Sequence, residues 1–422
     1  MRKLLILPIF LLIAFGCAPR PDTSTSEPAP ATTADQASAP IWRAELNLGP
    51  RALPFNFTFD PEVADPEMVV HNAAERLKID DIRREGDSIH FRMPFFDSEI
   101  HAILAGDSLS GIWHNRARTN KNRLSFTAQQ NDERRFIHPE VTPQADLSGK
   151  WEVTFVHQEI DTSQAIGQFA QSGNALSGTF RTPTGDYRYL EGRVDGDQLY
   201  LSCFDGAHAF LFEAQLQEDG QLAGGFWSGA HWYESWSAKR NPEFTIAHPD
   251  SLTFLREGYT TVEFAFPNVD SQIVSLQDER YRGKVVLVEV MGTWCPNCMD
   301  ETALLDELYA ELHAEGLEVI SLAFEMKDEF AYAQGNVQRM IATYDLPYEV
   351  LIAGRAGRKT AGAALPQLNH VMSYPTTLFV DRKGEVRRIH TGFSGPATGE
   401  VYERLVIDFR KFVRELLDEQ PA

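Results

Sequence analysis

The strongest constraint on the fold of this chain is an apolar run that ends at two cysteines. Residues 285–292 read Val-Val-Leu-Val-Glu-Val-Met-Gly, a continuous apolar stretch interrupted by one acid. Such a run is typical of a strand buried on both faces of a sheet. The sequence Thr-Trp-Cys-Pro-Asn-Cys follows at 293–298, and a helical pattern then continues to Gly316. We therefore predict a buried strand, a turn carrying two cysteines, and a helix.

The segments that follow continue to alternate between strands and helices. We predict strands at 317–324, 348–352, 376–380 and 385–389, and helices at 329–344 and 401–417. The last two strands read as a hairpin that turns at 382–384. This alternation predicts an α/β domain over residues 243–422.

Two cysteines at the start of a helix are suited to disulfide exchange. Cys295 lies at the predicted helix N-terminus, where free N–H groups and the helix dipole favour a thiolate, so we predict that it is the attacking nucleophile. Cys298 is the predicted resolving thiol, which forms the Cys295–Cys298 disulfide and releases the substrate. The chain has four cysteines and no second Cys-x-x-Cys pair, so a zinc site and a permanent structural disulfide are the less favoured alternatives. We expect no metal and no cofactor.

Three motifs within residues 260–420 resemble the thioredoxin-fold thiol–disulfide oxidoreductases of the TlpA/ResA type. They are Gly-Lys-Val-Val-Leu-Val at 283–288, Gly-Thr-Trp-Cys-x-x-Cys at 292–298 and Tyr-Pro-Thr-Thr at 374–377. The resemblance implies that Pro375 forms a cis peptide bond facing the disulfide and binds an extended substrate together with Trp294 and Tyr374. It also implies an exported enzyme that reduces protein disulfides and is itself reduced by a membrane electron donor.

Two acidic residues close to the cysteines have predicted roles in catalysis. Glu289 lies on the buried strand, where thioredoxins carry an Asp that accepts a proton from the resolving cysteine and TlpA/ResA-type proteins often have Asn. Burial would raise the pKa of Glu289, so we predict that it exchanges a proton with Cys298 near neutral pH. Glu301 matches a Glu that ResA-like proteins keep near the active site; the alternative is a helix-stabilising acid of the first turn. Its neighbour Asp300 is predicted to be a solvated helix residue.

The N-terminus is typical of an export signal. Residues 1–17 combine Arg-Lys, an apolar run at 4–13 and a small residue before Cys17. The run is too short to span a bilayer as a stable helix. The pattern resembles a bacterial lipobox, although Ala14 stands where Leu is usual, and it implies cleavage before Cys17 and lipid attachment to it; a plain signal peptide is the alternative. Residues 18–40 are rich in Pro, Ala, Ser and Thr and are predicted to be a flexible linker. We expect a protein lipid-anchored to a bacterial membrane, facing the periplasm or the cell exterior.

Residues 41–242 are predicted to be β-rich and duplicated. Gly-Asp followed by an alternating run occurs at 86–91 and at 196–201, about 110 residues apart, and a turn leading to an aromatic occurs at 106–113 and 219–227. Trp42 and Trp151 open the two copies. We predict repeat 1 at 41–145 and repeat 2 at 146–242, forming either two small barrels or one shared sandwich.

The predicted function of this β-rich region is binding or scaffolding for an unidentified ligand. Its histidines show no metal-ligand spacing and are expected to be solvated or hydrogen-bonded strand residues: His90, His101, His157, His208 and His231. Four aromatics are predicted to be barrel core rather than a binding face: Trp227, Trp232, Tyr233 and Trp236. Cys203 is predicted to be a small buried hydrophobe rather than a reactive thiol.

Length and charge limit the remaining possibilities. A chain of 422 residues predicts a multidomain protein, and its formal charge of −21 disfavours nucleic-acid partners. The favoured function is disulfide reduction by a membrane-tethered enzyme. One alternative is a peroxiredoxin-like thiol peroxidase, but Gly292 and Val288 stand where those proteins carry Thr or Ser and Pro. The other is a ligand-binding lipoprotein whose redox domain is accessory.

Overall fold

Two nine-stranded antiparallel sheets precede a five-stranded mixed sheet in this computed structural model, which describes residues 39–419. The predicted fold class, a β-rich region followed by an α/β thioredoxin fold, is confirmed. The predicted signal peptide with Cys17 and nearly all of the predicted linker lie outside the described residues. No helix among residues 39–419 has the length and apolar character needed to cross a membrane.

The first sheet is an antiparallel meander whose first strand pairs with its last. Its strands are β1 (Ile41–Asn47), β2 (Ala52–Phe59), β3 (Met68–Asn72), β4 (Glu75–Ile79), β5 (Asp81–Glu85), β6 (Ser88–Arg92), β7 (Ser98–Ala105), β8 (Ser108–Asn115) and β9 (Arg123–Gln130). The order across the sheet is β4-β3-β2-β1-β9-β8-β7-β6-β5. The sheet is therefore open between β4 and β5, which form its two edges.

The second sheet closes into a barrel. Its strands are β10 (Gly149–His157), β11 (Asp161–Ser172), β12 (Ala175–Thr182), β13 (Gly185–Asp186), β14 (Leu190–Asp195), β15 (Gln198–Phe204), β16 (Ala209–Leu216), β17 (Leu222–Ser228) and β18 (Trp232–Arg240). A pairing between β11 and β12 completes a ring of eight strands, to which β13 is attached. Alternate side chains point inward and build an aromatic core that includes Phe155, Phe180, Phe212 and Trp236.

The repeated sequence stretches occupy equivalent strands of the two sheets. The strands β6 and β15 carry the alternating runs, and in chain order each is the fourth strand from the end of its sheet. Trp113 and Trp227 lie on the penultimate strands, and Trp42 and Trp151 lie on the first strands. The result is one closed barrel and one open sheet, not a shared sandwich. The predicted boundaries of the two repeats stay a prediction.

The prediction that Cys203 and the four aromatic residues are buried in the barrel is partly wrong. Trp236 and Cys203 are buried inside the barrel, as predicted. Trp232 and Tyr233 are 40% and 49% exposed, because they begin β18 directly after a turn, beyond the part of the barrel that is packed. Trp232 instead stacks on His157, with 3.7 Å between ring centroids.

The C-terminal part is a five-stranded sheet with helices around it. Its elements are β19 (Ala265–Pro267), β20 (Ile273–Ser275), β21 (Val285–Met291), α1 (Pro296–Leu312), β22 (Leu317–Glu325), α2 (Phe330–Tyr344), β23 (Glu349–Arg355), α3 (Arg358–Ala364), β24 (Thr376–Val380), β25 (Val386–Thr391) and α4 (Glu400–Asp418), with short 3-10 turns at Pro249–Ser251, Glu279–Tyr281, His313–Glu315 and Pro396–Thr398. The sheet order is β23-β22-β21-β24-β25, and β19 and β20 form a separate pair. The predicted strands and helices are all present with ends shifted by at most three residues, whereas β19, β20 and α3 were not predicted.

Candidate active site

The central strand β21 delivers the two cysteines to the start of α1. All seven residues of β21 are buried, as the apolar run predicts. Cys295 has an extended backbone and caps α1, and its Sγ accepts a hydrogen bond from the Cys298 N–H at 3.3 Å. Pro296 is the first helical residue, where the missing N–H costs nothing. The cap places the Cys295 sulfur at the helix N-terminus, beside free backbone N–H groups.

The two cysteines differ in accessibility, and the buried one is hard to ionise. Cys295 is 7% exposed and Cys298 is fully buried, and the two sulfurs are not bonded to each other in this structure. Burial raises the pKa of Cys298 well above its ordinary value, and Cys295 and Glu289 raise it further. The predicted division of roles between the two thiols therefore has a physical basis, and the Cys295–Cys298 disulfide stays a prediction.

The predicted substrate-binding residues surround Cys295. The Tyr374–Pro375 peptide bond is cis, as the resemblance implied. The Cys295 thiol donates to the Tyr374 carbonyl oxygen at 3.5 Å. The rings of Trp294 and Tyr374 meet edge to face, with centroids 5.5 Å apart, and the Trp294 indole N–H donates to the Phe324 carbonyl at 2.9 Å. Trp294, Tyr374 and Pro375 are thus brought together beside the nucleophile; their role in substrate binding stays a prediction.

Glu289 is a fully buried carboxyl group held by two hydroxyls. Ser321 donates to it at 2.6 Å from β22, and Thr302 donates at 3.2 Å from α1. Burial raises the pKa of Glu289 to about 7, against the opposing effect of these two hydrogen bonds. At that pKa the group can both take up and release a proton near neutral pH.

Glu301 is buried in a different way. It lies on the face of α1 that packs against the sheet, and neither carboxyl oxygen has a hydrogen-bond partner of normal geometry among the described residues. Burial raises its pKa well above the ordinary value, and the charge of Glu289 raises it further. Burial therefore favours the protonated form of Glu301. The alternative, a helix-stabilising acid of the first turn, is wrong, because Glu301 lies beyond the first turn of α1 and is fully buried.

The prediction that Asp300 is solvated is also wrong. Its side chain is 16% exposed and forms an ion pair with Arg188, which lies between β13 and β14 of the barrel. Burial raises the pKa of Asp300 to about 6, although the Arg188 guanidinium lowers it. The barrel covers this face of α1, so a position that looks solvent-exposed in the helical pattern is enclosed.

Arg188 interacts with carboxylates from both β-rich sheets and from helix α1. Besides Asp300 on α1, it bonds Glu75 on β4 of the first sheet and lies 4.0 Å from Asp205 of the barrel. Burial lowers the pKa of this guanidinium, but the three carboxylates together raise it well above its usual value. One cation therefore links the two β-rich sheets to the helix that carries the cysteines.

The hairpin that joins β12 and β13 lies directly on the cysteine motif. The Asn297 side-chain amide donates to the Phe393 carbonyl at 3.1 Å and to the Asp186 carbonyl at 3.4 Å. The Ser373 hydroxyl, next to Tyr374, donates to the Thr184 carbonyl at 3.3 Å. Gly185 is required here: its φ is +148°, and a Cβ would lie 2.4 Å from the Asn297 side-chain nitrogen. Sequence reasoning missed this contact, because the partners are more than a hundred residues apart.

Glu325 is a further buried acid near the cysteines, and the sequence analysis did not predict it. It ends β22 and accepts hydrogen bonds from the Thr293 N–H at 2.9 Å and the Thr293 hydroxyl at 2.8 Å. Asn336 on α2 donates to the same carboxyl group at 3.2 Å. These bonds hold the turn before Cys295. The signal available in the sequence was an acid directly after a long apolar run.

Known proteins resemble this α/β region. The sequence profile of the AhpC/TSA family matches residues 258–389. The thioredoxin-like protein YneN of Bacillus subtilis is 32% identical over 138 residues, which are 33% of this chain and 73% of YneN. The thiol-disulfide oxidoreductase ResA of Halalkalibacterium halodurans is 24% identical over 159 residues, covering 38% of this chain and 78% of ResA.

A solved structure also aligns with this region. The crystal structure of a thioredoxin-family thiol:disulfide interchange protein from Chlorobium tepidum covers 38% of this chain and 98% of its own, with 19% identity and a TM-score of 0.29. The two sequence relatives match this chain over most of their own length. Through its C-terminal part, this chain belongs to the family of thioredoxin-like thiol–disulfide oxidoreductases.

Proposed function

We propose that this protein is an exported, membrane-tethered enzyme that reduces protein disulfides through Cys295 and Cys298. The observation that carries this proposal is the placement of the Cys295 sulfur at the start of α1, beside a buried second thiol and the cis Pro375. The export signal and the lipid on Cys17 are inferred from residues 1–17 alone.

The reaction moves two electrons from the dithiol to the substrate. The Cys295 thiolate attacks one substrate sulfur, the substrate S–S bond breaks, and the departing sulfur takes up a proton. Cys298 then loses its proton and attacks the Cys295 sulfur of the mixed disulfide, which releases the second substrate thiol. The substrate leaves with two thiols, and the enzyme holds a Cys295–Cys298 disulfide. A membrane protein with a reduced dithiol is the proposed donor of the two electrons and two protons that restore it.

Glu289 is the proposed acceptor of the Cys298 proton. Burial makes the Cys298 thiol hard to ionise, so resolution of the mixed disulfide needs a base nearby, and the pKa of Glu289 is about 7. We expect Glu289→Gln to slow disulfide exchange at pH 7 by about a hundredfold, a typical contribution of general base catalysis. Glu289→Asp should restore part of the rate and shift the pH profile. Equal exchange rates in wild type and Glu289→Gln across pH 6–9 would contradict this role.

Trapping in the full-length protein tests the substrate class. Cys298→Ser leaves the nucleophile and removes the resolving thiol, so substrates should accumulate as mixed disulfides on Cys295 and be identifiable by mass spectrometry. Cys295→Ser is the matched control and should trap nothing. If Cys298→Ser forms no mixed disulfide with any exported protein while it still reacts with small disulfides, protein disulfides are not the substrate.

The membrane tether is tested separately. Wild type should incorporate labelled fatty acid and sediment with membranes, whereas Cys17→Ala should do neither. Equal labelling of the two proteins would rule out lipidation at Cys17.

A second candidate function is a thiol peroxidase, because the family whose profile matches residues 258–389 is AhpC/TSA. Peroxiredoxins place a Thr or Ser three residues before their reactive cysteine, and Gly292 stands there in this chain. A Cβ at Gly292 would lie 2.2 Å from the Trp294 indole nitrogen, so a hydroxyl-bearing side chain does not fit. Consumption of hydrogen peroxide without any disulfide substrate, lost in Cys295→Ser, would favour this function over disulfide reduction.

A further inference from the structure

A cavity of about 270 Å³ lies between the barrel, the connector that follows it, and β25 of the α/β unit. Its polar lining includes two cationic side chains, Lys150 from β10 and Arg181 from β12, and two imidazoles, His248 from the connector and His390 from β25. No aspartate or glutamate is among the described residues that line it, although the whole chain carries a formal charge of −21. The cavity is therefore a local site of positive charge in an acidic protein.

Arg181 lines this cavity with unused hydrogen-bonding capacity. It is partly buried and forms no ion pair within residues 39–419, and its Nε–H has no hydrogen-bond partner there. The carboxylate nearest to it in the strand pairing, that of Asp186, already accepts hydrogen bonds from the backbone N–H groups of Arg188 at 2.7 Å and Gly395 at 2.5 Å. Burial lowers the pKa of Arg181, the charge of Arg404 lowers it further, and Asp186 opposes both effects.

Lys150 adds a second cation with spare donors. Its ammonium group donates to the Pro242 carbonyl at 2.8 Å, and an ammonium group has three N–H donors in total. Like Arg181, it forms no ion pair with any described carboxylate. A buried or half-buried cation without a partner is costly, so two of them facing one cavity indicate an anionic occupant.

The cavity adjoins the cysteine motif. Gly185 and Phe393 both line it, and both contact Asn297, which stands between Cys295 and Cys298. The β12–β13 hairpin and the loop after β25 thus face the cavity on one side and the cysteine motif on the other.

We propose that this cavity binds a carboxylate carried by the disulfide substrate, with Arg181 and Lys150 as specificity-determining residues; this rests on the function proposed above. The planar guanidinium of Arg181 can bind a carboxylate through two parallel hydrogen bonds. The volume is slightly below that of sites for drug-sized molecules, and it suits an acidic side chain or a small organic acid. The barrel therefore contributes to substrate selection and is not only a support for the redox unit.

Matched disulfides test the proposal with the full-length protein. The first pair is 3,3′-dithiodipropionate and its uncharged diamide, and the second is a disulfide-bonded peptide with Glu or with Gln beside each Cys. Wild type should have the higher kcat/KM for the acidic member of each pair. A preference within the small pair alone indicates a small acid as the natural substrate, and a preference within the peptide pair indicates an acidic segment of a protein.

The variants remove one charge at a time. Arg181→Gln should lower kcat/KM for the acidic disulfides by about tenfold, the typical effect of losing a charged hydrogen bond, and leave the uncharged ones unchanged. Lys150→Gln should act in the same direction with a smaller effect. Lys411→Gln, which removes the same charge from an exposed site on α4 outside the cavity, should leave the ratio unchanged.

Two outcomes would overturn the proposal. The first is an unchanged ratio of acidic to uncharged kcat/KM in both Arg181→Gln and Lys150→Gln. The second is an absence of carboxylate binding, which is measured if the protein reduces no disulfide and the function proposed above fails. The measurement is an NMR titration of Cys295→Ser protein with 3-(methylthio)propionate. Saturable binding that is lost on adding Arg181→Gln supports the carboxylate site, and the absence of binding rejects it.

Discussion

The two β-rich sheets carry the same repeated sequence pattern, yet only the second one closes. In the barrel, β11 and β12 pair along their length and complete the ring. In the first sheet, β4 and β5 follow each other in the chain but remain unpaired edges. Their sequences, Glu-Arg-Leu-Lys-Ile and Asp-Ile-Arg-Arg-Glu, are largely charged. Charged side chains on edge strands discourage pairing, so the first sheet stays open although its sequence repeat resembles that of the barrel.

Closure decides which residues each sheet needs for its core. The barrel interior is a separate apolar cluster made of its own residues. The apolar face of the first sheet belongs to a cluster that continues into β21, α1 and α2 of the α/β unit. Phe95, in the loop before β7, stacks on Tyr344 at the end of α2 with centroids 5.0 Å apart. The open sheet is thus stabilised by its neighbours, whereas the closed one supplies its own core.

The largest expected effect tests whether the chemistry belongs to the α/β unit alone. Cys295→Ser should lower disulfide reduction by at least about a thousandfold, since the nucleophile is lost. Cys203→Ser, at a buried position in the barrel, is the control and should retain activity. Insulin reduction by the two purified proteins measures the difference. Residual activity in Cys295→Ser that disappears on adding Cys203→Ser would place reactive chemistry in the barrel.

A pair of core substitutions tests the difference in closure. Phe212→Ala in the barrel and Phe57→Ala in the first sheet each remove a fully buried ring and should cost about 3–5 kcal/mol of unfolding free energy. Hydrogen exchange should show lost protection confined to barrel strands for Phe212→Ala. For Phe57→Ala the loss should extend into β21 and α1. If the two patterns of lost protection are alike, the cores are not distinct in the way described.

Buried acids in the two regions should respond to pH with opposite sign. The pKa of Glu289 is raised to about 7, so the stability it contributes is present below its unfolded pKa of 4.5 and is lost as pH rises to about 7, a loss on the order of 3 kcal/mol. Burial raises the pKa of Asp205 in the barrel, but His208 and Arg188 outweigh it and hold that pKa below 3.8, so Asp205 stabilises the fold above that pH.

Urea unfolding at pH 5 and pH 8 measures this contrast. Glu289→Gln should remove part of the fall in stability between the two pH values. Asp205→Asn should destabilise the protein at both values, because Asp205 is ionised throughout this range. A wild-type stability that does not fall between pH 5 and pH 8 relative to Glu289→Gln would contradict the raised pKa of Glu289.

The smallest effect concerns the contact of the barrel with the cysteine motif. Asn297→Ala removes hydrogen bonds to Phe393 and Asp186 and should cost about 1 kcal/mol. Because these bonds hold the hairpin over a cysteine that is 7% exposed, alkylation of Cys295 should become a few times faster. Phe95→Leu, which weakens the contact of the first sheet with Tyr344, is the control and should leave alkylation unchanged. Equal acceleration in both variants would mean that the first sheet covers the site as well.

Much of the α/β unit could be predicted from local patterns. The apolar run of β21 is recognisable because a strand covered on both faces has no polar positions to interrupt it. The spacing of Cys295 and Cys298 places both residues within one turn at a helix start, and the predicted disulfide and unequal roles rest on that geometry. Short elements such as β19, β20 and α3 have too few residues for a period to be visible.

The candidate site was predicted less completely than the fold. Glu289 was expected to be buried because its neighbours in the chain are apolar. The same reasoning failed for Asp300, since nothing near it in the sequence announces Arg188 as a partner. Glu325 and the hairpin on Asn297 were missed for the same reason.

The sequence by itself determined what is local: the strands, the helices, the cysteine spacing and the duplication. The tertiary structure decided which sheet closes, where Glu301 and Asp300 are enclosed, and that Lys150, Arg181, His248 and His390 face one cavity. The physical reason is that periodicity and helix capping act between residues a few positions apart. Burial, pKa and charge compensation depend on groups brought together from distant parts of the chain.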